Sequence, residues 1–118
     1  MTKAERVKKE EARLLKIYDD IEPKRKATAL GLIQRTAHMR ITLEDLAADL
    51  DEKGYVDWFS QGDQEPYERR RPTADVYNSM NTAYQKAIKQ LTDLLPKENA
   101  KAKESGDGFD VFINDRLD

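Results

Sequence analysis

The sequence predicts an all-α protein: an antiparallel helical hairpin or bundle with a long central helix, assembling into an oligomer. Three observations predict this fold class. Apolar residues recur at three- and four-residue spacing, prolines lie where helices would begin or end, and charged residues make up 37% of the chain against 38% hydrophobic ones. Because so little apolar surface is present, we expect long helices that complete their core by association.

The first predicted helix runs from about Lys3 to Asp20, with its apolar residues on one face and charges elsewhere. Pro23 follows it closely. Proline has no amide donor and disfavours helix in the residue before it, so we expect the helix to break there. The same residue suits the first turn of the next helix.

The second predicted helix is long, from about Pro23 to Lys53, and Gly54 is placed to cap its C-terminus. Its apolar residues occupy two neighbouring faces, which is more of the circumference than one intramolecular partner would cover. We therefore expect one face to pack within the subunit and the other between subunits. Gly31 lies inside this helix, where glycine is unfavourable, and it predicts a close helix approach or a local bend.

The connector 55–72 combines four aromatic residues with Gly62 and Pro66 and has no regular period, which predicts an ordered loop containing a short helical turn or a hairpin. The aromatics could stack on bases, but closing a small core is the favoured interpretation. Thr73 is a suitable N-cap for a third helix that ends before Pro96. The residues predicted to join subunits are Leu32, Met39, Leu43, Leu46, Leu50, Tyr77, Met80, Tyr84 and Leu91.

The chain divides into two predicted parts. Residues 1–95 form a helical domain for oligomerisation and DNA contact, and residues 96–118 form a mobile linker with an acidic and apolar docking tail. Such a tail could bind another protein or fold back onto its own subunit. Its apolar residues are Phe109, Val111, Phe112 and Ile113.

The sequence lacks the residues that several kinds of functional site require. There is no cysteine and only one histidine, His38, so no zinc site or disulfide can form, and there is no glycine-rich phosphate loop. A group of carboxylates late in the second helix could approach Mg²⁺, although a solvated helix face is the favoured interpretation. We predict a non-enzymatic protein without a cofactor, without a signal peptide or membrane partner, and in the cytoplasm. The carboxylates are Glu44, Asp45, Asp49, Asp51 and Glu52.

Clustered basic residues point to nucleic acid even though the net charge is −2. Affinity for a DNA duplex comes mainly from Lys and Arg that neutralise phosphates. The cluster at the start of the second helix opposes the helix macrodipole, so helix stability does not explain its placement. The predicted DNA contacts are Lys8, Lys9, Arg13, Lys24, Arg25, Lys26, Arg69, Arg70 and Arg71.

The order of these parts resembles a known family. The segments that carry the likeness are 54–62 (GYVDWFSQG), 69–78 (RRRPTADVYN), 84–96 (YQKAIKQLTDLLP) and 107–109 (DGF). They are similar to the small terminase subunits of tailed bacteriophages and prophages of Gram-positive bacteria. The resemblance covers essentially the whole chain and implies a non-catalytic partner of a DNA-packaging motor.

Such a subunit forms a ring in the cytoplasm of the bacterial host, binds double-stranded viral DNA and delivers it to a terminase large subunit that carries the ATPase and nuclease. The resemblance implies that the apolar tail docks to this large subunit. Many members also carry an N-terminal helix-turn-helix module, for which residues 1–20 leave little room. The alternative is a helical adaptor or scaffold that binds another helical protein and never contacts DNA, and binding of duplex DNA at low salt separates the two.

Overall fold

A computed structural model describes residues 1–96 of the chain, which fold into three helices and one β-hairpin. The prediction of a mainly helical protein is confirmed there. The residues of the predicted docking tail, 109–113, lie outside the described part of the chain. In chain order the elements are α1 (Lys3–Ile17), α2 (Pro23–Lys53), β1 (Val56–Phe59), β2 (Tyr67–Arg70) and α3 (Pro72–Asp93).

Helix α1 begins with a reciprocal cap. The Thr2 side chain accepts a hydrogen bond from the Glu5 amide at 3.1 Å, and the Glu5 carboxylate accepts one from the Thr2 amide at 2.7 Å. This arrangement satisfies two amides that the helix itself leaves free. The helix ends at Ile17, earlier than the predicted Asp20, because the chain turns there to enter α2 at Pro23.

Helix α2 is the central element and has the predicted bounds. Gly54 ends it at a positive φ of 85°, and its amide donates to the Leu50 carbonyl at 2.8 Å. Its 31 residues give a length of about 46 Å at 1.5 Å per residue. Both α1 and α3 pack against it. Both apolar faces of α2 therefore take part in packing inside the subunit, but Leu32, Met39 and Leu46 remain partly exposed, and the expected contact with a second subunit stays a prediction.

The largest buried cluster lies at the end of the molecule where α1 turns into α2 and where α3 ends. The Tyr18 and Thr92 hydroxyls lie 3.1 Å apart and join α1 to α3 at this point. All three helices therefore share one core at this end. Its buried members are Leu14, Tyr18, Ile21, Ala29, Ile33, Ala37, Leu91 and Leu95.

Gly31 has open space around it. A Cβ built at this residue meets no atom within 4 Å among residues 1–96, so the predicted close helix approach is not present within the subunit. A Gly31→Ala variant is therefore expected to be more stable by about 1 kcal/mol, since alanine is the better helix former. Thermal unfolding followed by circular dichroism should show a rise of roughly 4–8 °C in Tm. A loss of stability would place an atom of another subunit against Gly31.

The connector forms a β-hairpin, which is one of the two structures predicted for it. Strands β1 and β2 are antiparallel, with Val56 opposite Arg70. Helix α3 starts at Pro72 with Arg71 in the N-cap position, so the assignment of Thr73 as the cap is wrong. Proline takes the first helical position because an amide there has no partner within the helix in any case.

Candidate nucleic-acid interface

The charges of α2 are divided along its length. Residues 23–38 contain four Lys or Arg and no acidic residue, whereas residues 39–53 contain five acidic residues and two cations. This distribution opposes the helix macrodipole at both ends, because cations are favourable at a C-terminus and anions at an N-terminus. Helix stability therefore does not account for the cations. We refer to them as the α2 cation patch, and they are Lys24, Arg25, Lys26 and Arg35.

Partners within the subunit hold the α2 cation patch only weakly. The Lys24 Nζ atom is 3.9 Å from the Glu22 carboxylate, and the Lys26 Nζ atom is 4.0 Å from the Asp19 carboxylate. Ion pairs of this length between exposed side chains contribute little. Arg25, like Arg35, makes no ion pair with any residue between 1 and 96. The patch is therefore available to an external anion.

The acidic half of α2 differs, because neighbouring arginines neutralise much of it. Arg6 of α1 donates to the Asp45 carboxylate at 2.8 Å and to the Glu44 carboxylate at 3.0 Å, and these bonds raise the pKa of Arg6. Asp49 accepts from Arg71 at 2.7 Å. Between residues 1 and 96, no three His, Asp or Glu side chains lie close enough together to hold a metal ion.

Arg13, predicted to contact DNA, is engaged inside the subunit. It donates two hydrogen bonds, at 2.6 and 2.8 Å, to the carboxylate of Glu10, which is only 7% exposed, and these bonds raise the pKa of Arg13. Arg40 of α2 lies 3.5 Å from the same carboxylate and donates to the Tyr84 hydroxyl of α3 at 3.2 Å. Glu10 and Arg40 thus link all three helices, and Arg13 is held by Glu10 within α1 although its side chain is 47% exposed.

Lys8 and Lys9 lie on the outer surface of α1. Both are exposed, and neither makes an ion pair with another described residue. They belong to the helix that turns directly into the start of α2. Because Arg6 and Glu10, on either side of these lysines, pair with Glu44, Asp45 and Arg40, the two lysines lie beside the acidic half of α2 and not beside the α2 cation patch.

Arg71 clamps the base of the hairpin. Its guanidinium donates to the Gly54 carbonyl at 2.8 Å and to the Asp49 carboxylate at 2.7 Å, and its side chain is only 14% exposed. The bond from Arg71 lowers the pKa of Asp49. The clamp ties the C-terminus of α2 to the start of α3, so this arginine has a structural role and is not free to bind phosphate.

The other two arginines of the cluster differ in their surroundings. Arg69 lies 3.2 Å from the Asp57 carboxylate, and its guanidinium stacks over the Phe59 ring at 3.9 Å. Arg70 is exposed and pairs with the exposed Asp75 at 3.2 Å. Only Arg70 of the three lies at an open surface in a weakly held pair.

The aromatic residues of the connector do not close the core. Trp58 is 71% exposed, and Tyr55 and Tyr67 are also exposed. The Phe59 and Tyr67 rings meet edge to face with their centroids 5.9 Å apart, so the hairpin packs partly on itself. The shared core lies at the opposite end of α2, and the interpretation of these aromatics as a core plug is wrong.

The residues predicted to join subunits fall into two groups. Leu43, Leu50 and Leu91 are buried inside the subunit and offer no surface to a neighbour. The other six are partly exposed. These are Leu32, Met39, Leu46, Tyr77, Met80 and Tyr84.

The structure thus separates the predicted DNA contacts into three places. Lys24, Arg25 and Lys26 lie at the start of α2, and Lys8 and Lys9 lie on α1 beside the acidic half of α2. The hairpin arginines lie beyond the C-terminus of α2, a helix about 46 Å long. Arg35, an exposed cation of the α2 cation patch, was not among the contacts predicted from the sequence. The signal that could have found it is the absence of any acidic residue between 23 and 38.

A scan against protein-family models, a search of curated protein sequences and a search of solved structures each find no match. Among residues 1–96, no helix is both long enough and apolar enough to cross a membrane.

Proposed function

We propose that this protein is a non-catalytic DNA-binding subunit in which the α2 cation patch contacts the phosphates of duplex DNA. The observation that supports it is the exposed and weakly paired positive charge of residues 23–38, where it opposes the helix dipole. Arg6 and Arg71 pair with acidic residues of α2, whereas the basic residues of its first half have no strong partner among residues 1–96. A polyanion is the partner that such a surface fits.

The start of α2 offers a second source of attraction for phosphate. Pro23, the first residue of the helix, has no amide hydrogen, the Arg25 amide donates to the Glu22 carbonyl at 2.8 Å, and no side chain caps this end of the helix. The positive end of the macrodipole favours an anion at this position. Lys24, Arg25 and Lys26 surround it and would add charge where a phosphate approaches.

The biological role we propose is that of a terminase small subunit, as the likeness of segments 54–62, 69–78 and 84–96 implies. In this role the protein assembles into a cyclic oligomer, binds viral DNA and presents its C-terminal residues 109–113 to the large subunit. Weak phosphate contacts repeated around an assembly add through multivalency. One patch of four cations per subunit is then sufficient.

The test is a variant in which Lys24, Arg25 and Lys26 are all replaced by glutamine. Duplex DNA affinity at low salt should fall by at least about tenfold, and the slope of log affinity against log salt should become shallower by up to about three per subunit. Stability should stay equal or rise, since the substitutions remove cations from a helix N-terminus. Fluorescence anisotropy with a labelled duplex and thermal circular dichroism measure both quantities.

The matched control replaces Lys3, Lys53 and Lys89 by glutamine, which removes the same charge from exposed positions outside the patch and outside the groove between α2 and α3. This control should retain most of its DNA affinity. If both triple variants lose affinity equally, the binding is a general charge effect. If neither does, the patch is not a DNA site.

The exposed hairpin favours the second candidate function, a protein-only helical adaptor. Trp58 is 71% exposed, and tryptophan is enriched among the residues that dominate protein interfaces. Residues 55–70 carry four acidic residues against two arginines, which makes the hairpin itself unfavourable for DNA. If the unmodified protein does not bind duplex DNA at low salt, the adaptor function is favoured over the DNA-binding function.

A further inference from the structure

An open apolar groove runs between α2 and α3, away from the shared core. It has a volume of about 460 Å³, and its wall is almost entirely apolar. Val76 is 48% exposed there, which is high for a branched apolar side chain on a helix. The residues that line it are Met39, Asp75, Val76, Ser79, Met80 and Ala83.

We propose that this groove is the contact surface for a second copy of the chain, packed with its α3 antiparallel about a two-fold axis near Met80. The charges on α3 support this occupant. Asp75 and Lys86 are eleven residues apart and point within about 20° of the same direction on a helix with 100° per residue. In an antiparallel pair centred near Met80, Asp75 of each copy faces Lys86 of the other, so the two-fold axis creates two ion pairs.

Lys86 is open to such a pair, and Asp75 is held only weakly within the subunit. Lys86 is exposed and has no ion pair with any residue of the range 1–96. Asp75 pairs with Arg70 at 3.2 Å, but both side chains are more than half exposed, so that pair is weak. Between the two charges lie Ser79 and Ala83, whose small side chains allow a neighbouring helix to approach closely.

The apolar part of the groove agrees with this assignment. Met39 and Met80 belong to the set that the sequence predicts to join subunits, and both remain partly exposed in the single chain. Methionine adapts its shape readily to a packed partner. A second copy would cover the two methionines together with Val76.

This inference goes beyond the proposed function, because it holds equally for a DNA-binding subunit and for an adaptor. A two-fold contact buries the same surface on both copies and produces a dimer, whereas a cyclic oligomer needs a further, different contact surface. None of the four residues of the α2 cation patch lines the groove. Association and DNA binding can therefore fail separately.

The first experiment exchanges the two charges. Asp75→Lys and Lys86→Glu each place like charges opposite one another in the pair and should weaken association of the full chain by about tenfold or more. The double variant restores both attractive pairs and should recover most of the lost affinity. Sedimentation velocity across a concentration series measures it, and circular dichroism verifies that each variant is helical. If both single variants associate weakly and the double variant does not recover association, the proposal is overturned.

The second experiment removes apolar contact without changing charge. Val76→Ser should weaken association by about tenfold or more, because a two-fold contact loses the side chain twice. Leu15→Ser is the matched control, since Leu15 is similarly exposed on α1, outside the groove, and should have no effect. Equal effects of both variants, or an unmodified chain that stays monomeric at every concentration, would overturn the proposal.

Discussion

Replacement of Leu91 by alanine is expected to destabilise the protein by about 3 kcal/mol, within the range for leucine removed from a packed core. Leu91 has no exposed surface and lies in the cluster where the three helices meet. The substitution leaves a cavity in the cluster that also contains Leu14 of α1 and Ile33 of α2, and the surrounding residues can relax into it only in part. For a domain of this size the Tm should fall by more than about 10 °C.

The control for this prediction is Leu30→Ala, the same chemical change at an exposed position of α2. It should alter stability by no more than about 0.5 kcal/mol. Urea unfolding followed by circular dichroism at 222 nm, the usual wavelength for helix content, measures both variants. A Leu91→Ala variant as stable as Leu30→Ala would mean that the three helices do not share this core.

Replacement of Arg71 by alanine is the second change with a large expected effect. The variant loses two charge-assisted hydrogen bonds, one to the Gly54 carbonyl and one to the Asp49 carboxylate. We expect a loss of about 2 kcal/mol, since hydrogen bonds of charged groups contribute about 1.5–3 kcal/mol each and water replaces part of them. Urea unfolding measures the change.

The matched control for this variant is Arg70→Ala, because Arg70 is the adjacent residue and its ion pair is exposed. Its effect should be below about 1 kcal/mol. The acid dependence gives a further test. The folded pKa of Asp49 is lowered, so the stability from its bond to Arg71 is present above the ordinary pKa and is lost as the pH falls through the folded value. The difference between the unmodified protein and Arg71→Ala should therefore narrow in acid, and a difference that widens would contradict the assigned clamp.

The helices could be predicted from the sequence because their limits depend on local chemistry. Helix α2 begins at Pro23 and ends at Gly54, as predicted. The fixed φ of proline and the positive φ that glycine allows are properties of single residues. Helix α3 starts earlier than predicted, because Pro72 takes the first helical position and Thr73, the predicted N-cap, lies inside the helix. Each outcome depends on one or two neighbouring residues.

The role of each arginine could not be predicted in the same way. Arg13 and Lys9 look equivalent in the sequence, yet Arg13 binds the buried Glu10 while Lys9 stays at the surface. Arg71 and Arg70 are adjacent, and only the first reaches Asp49. Ion pairing of this kind depends on which carboxylate the fold brings near, and that is a property of the tertiary structure.

The tip of the hairpin, residues 60–66, has a practical consequence. Its seven residues are all exposed, and Gly62 adopts a positive φ of 60°. Loop tips of this type accept inserted residues more readily than helices do. An affinity tag or a fluorophore placed there would lie beyond the end of α2 farthest from the α2 cation patch. The hairpin thus provides an attachment point from which the protein can be imaged or immobilised while its helical surfaces remain open.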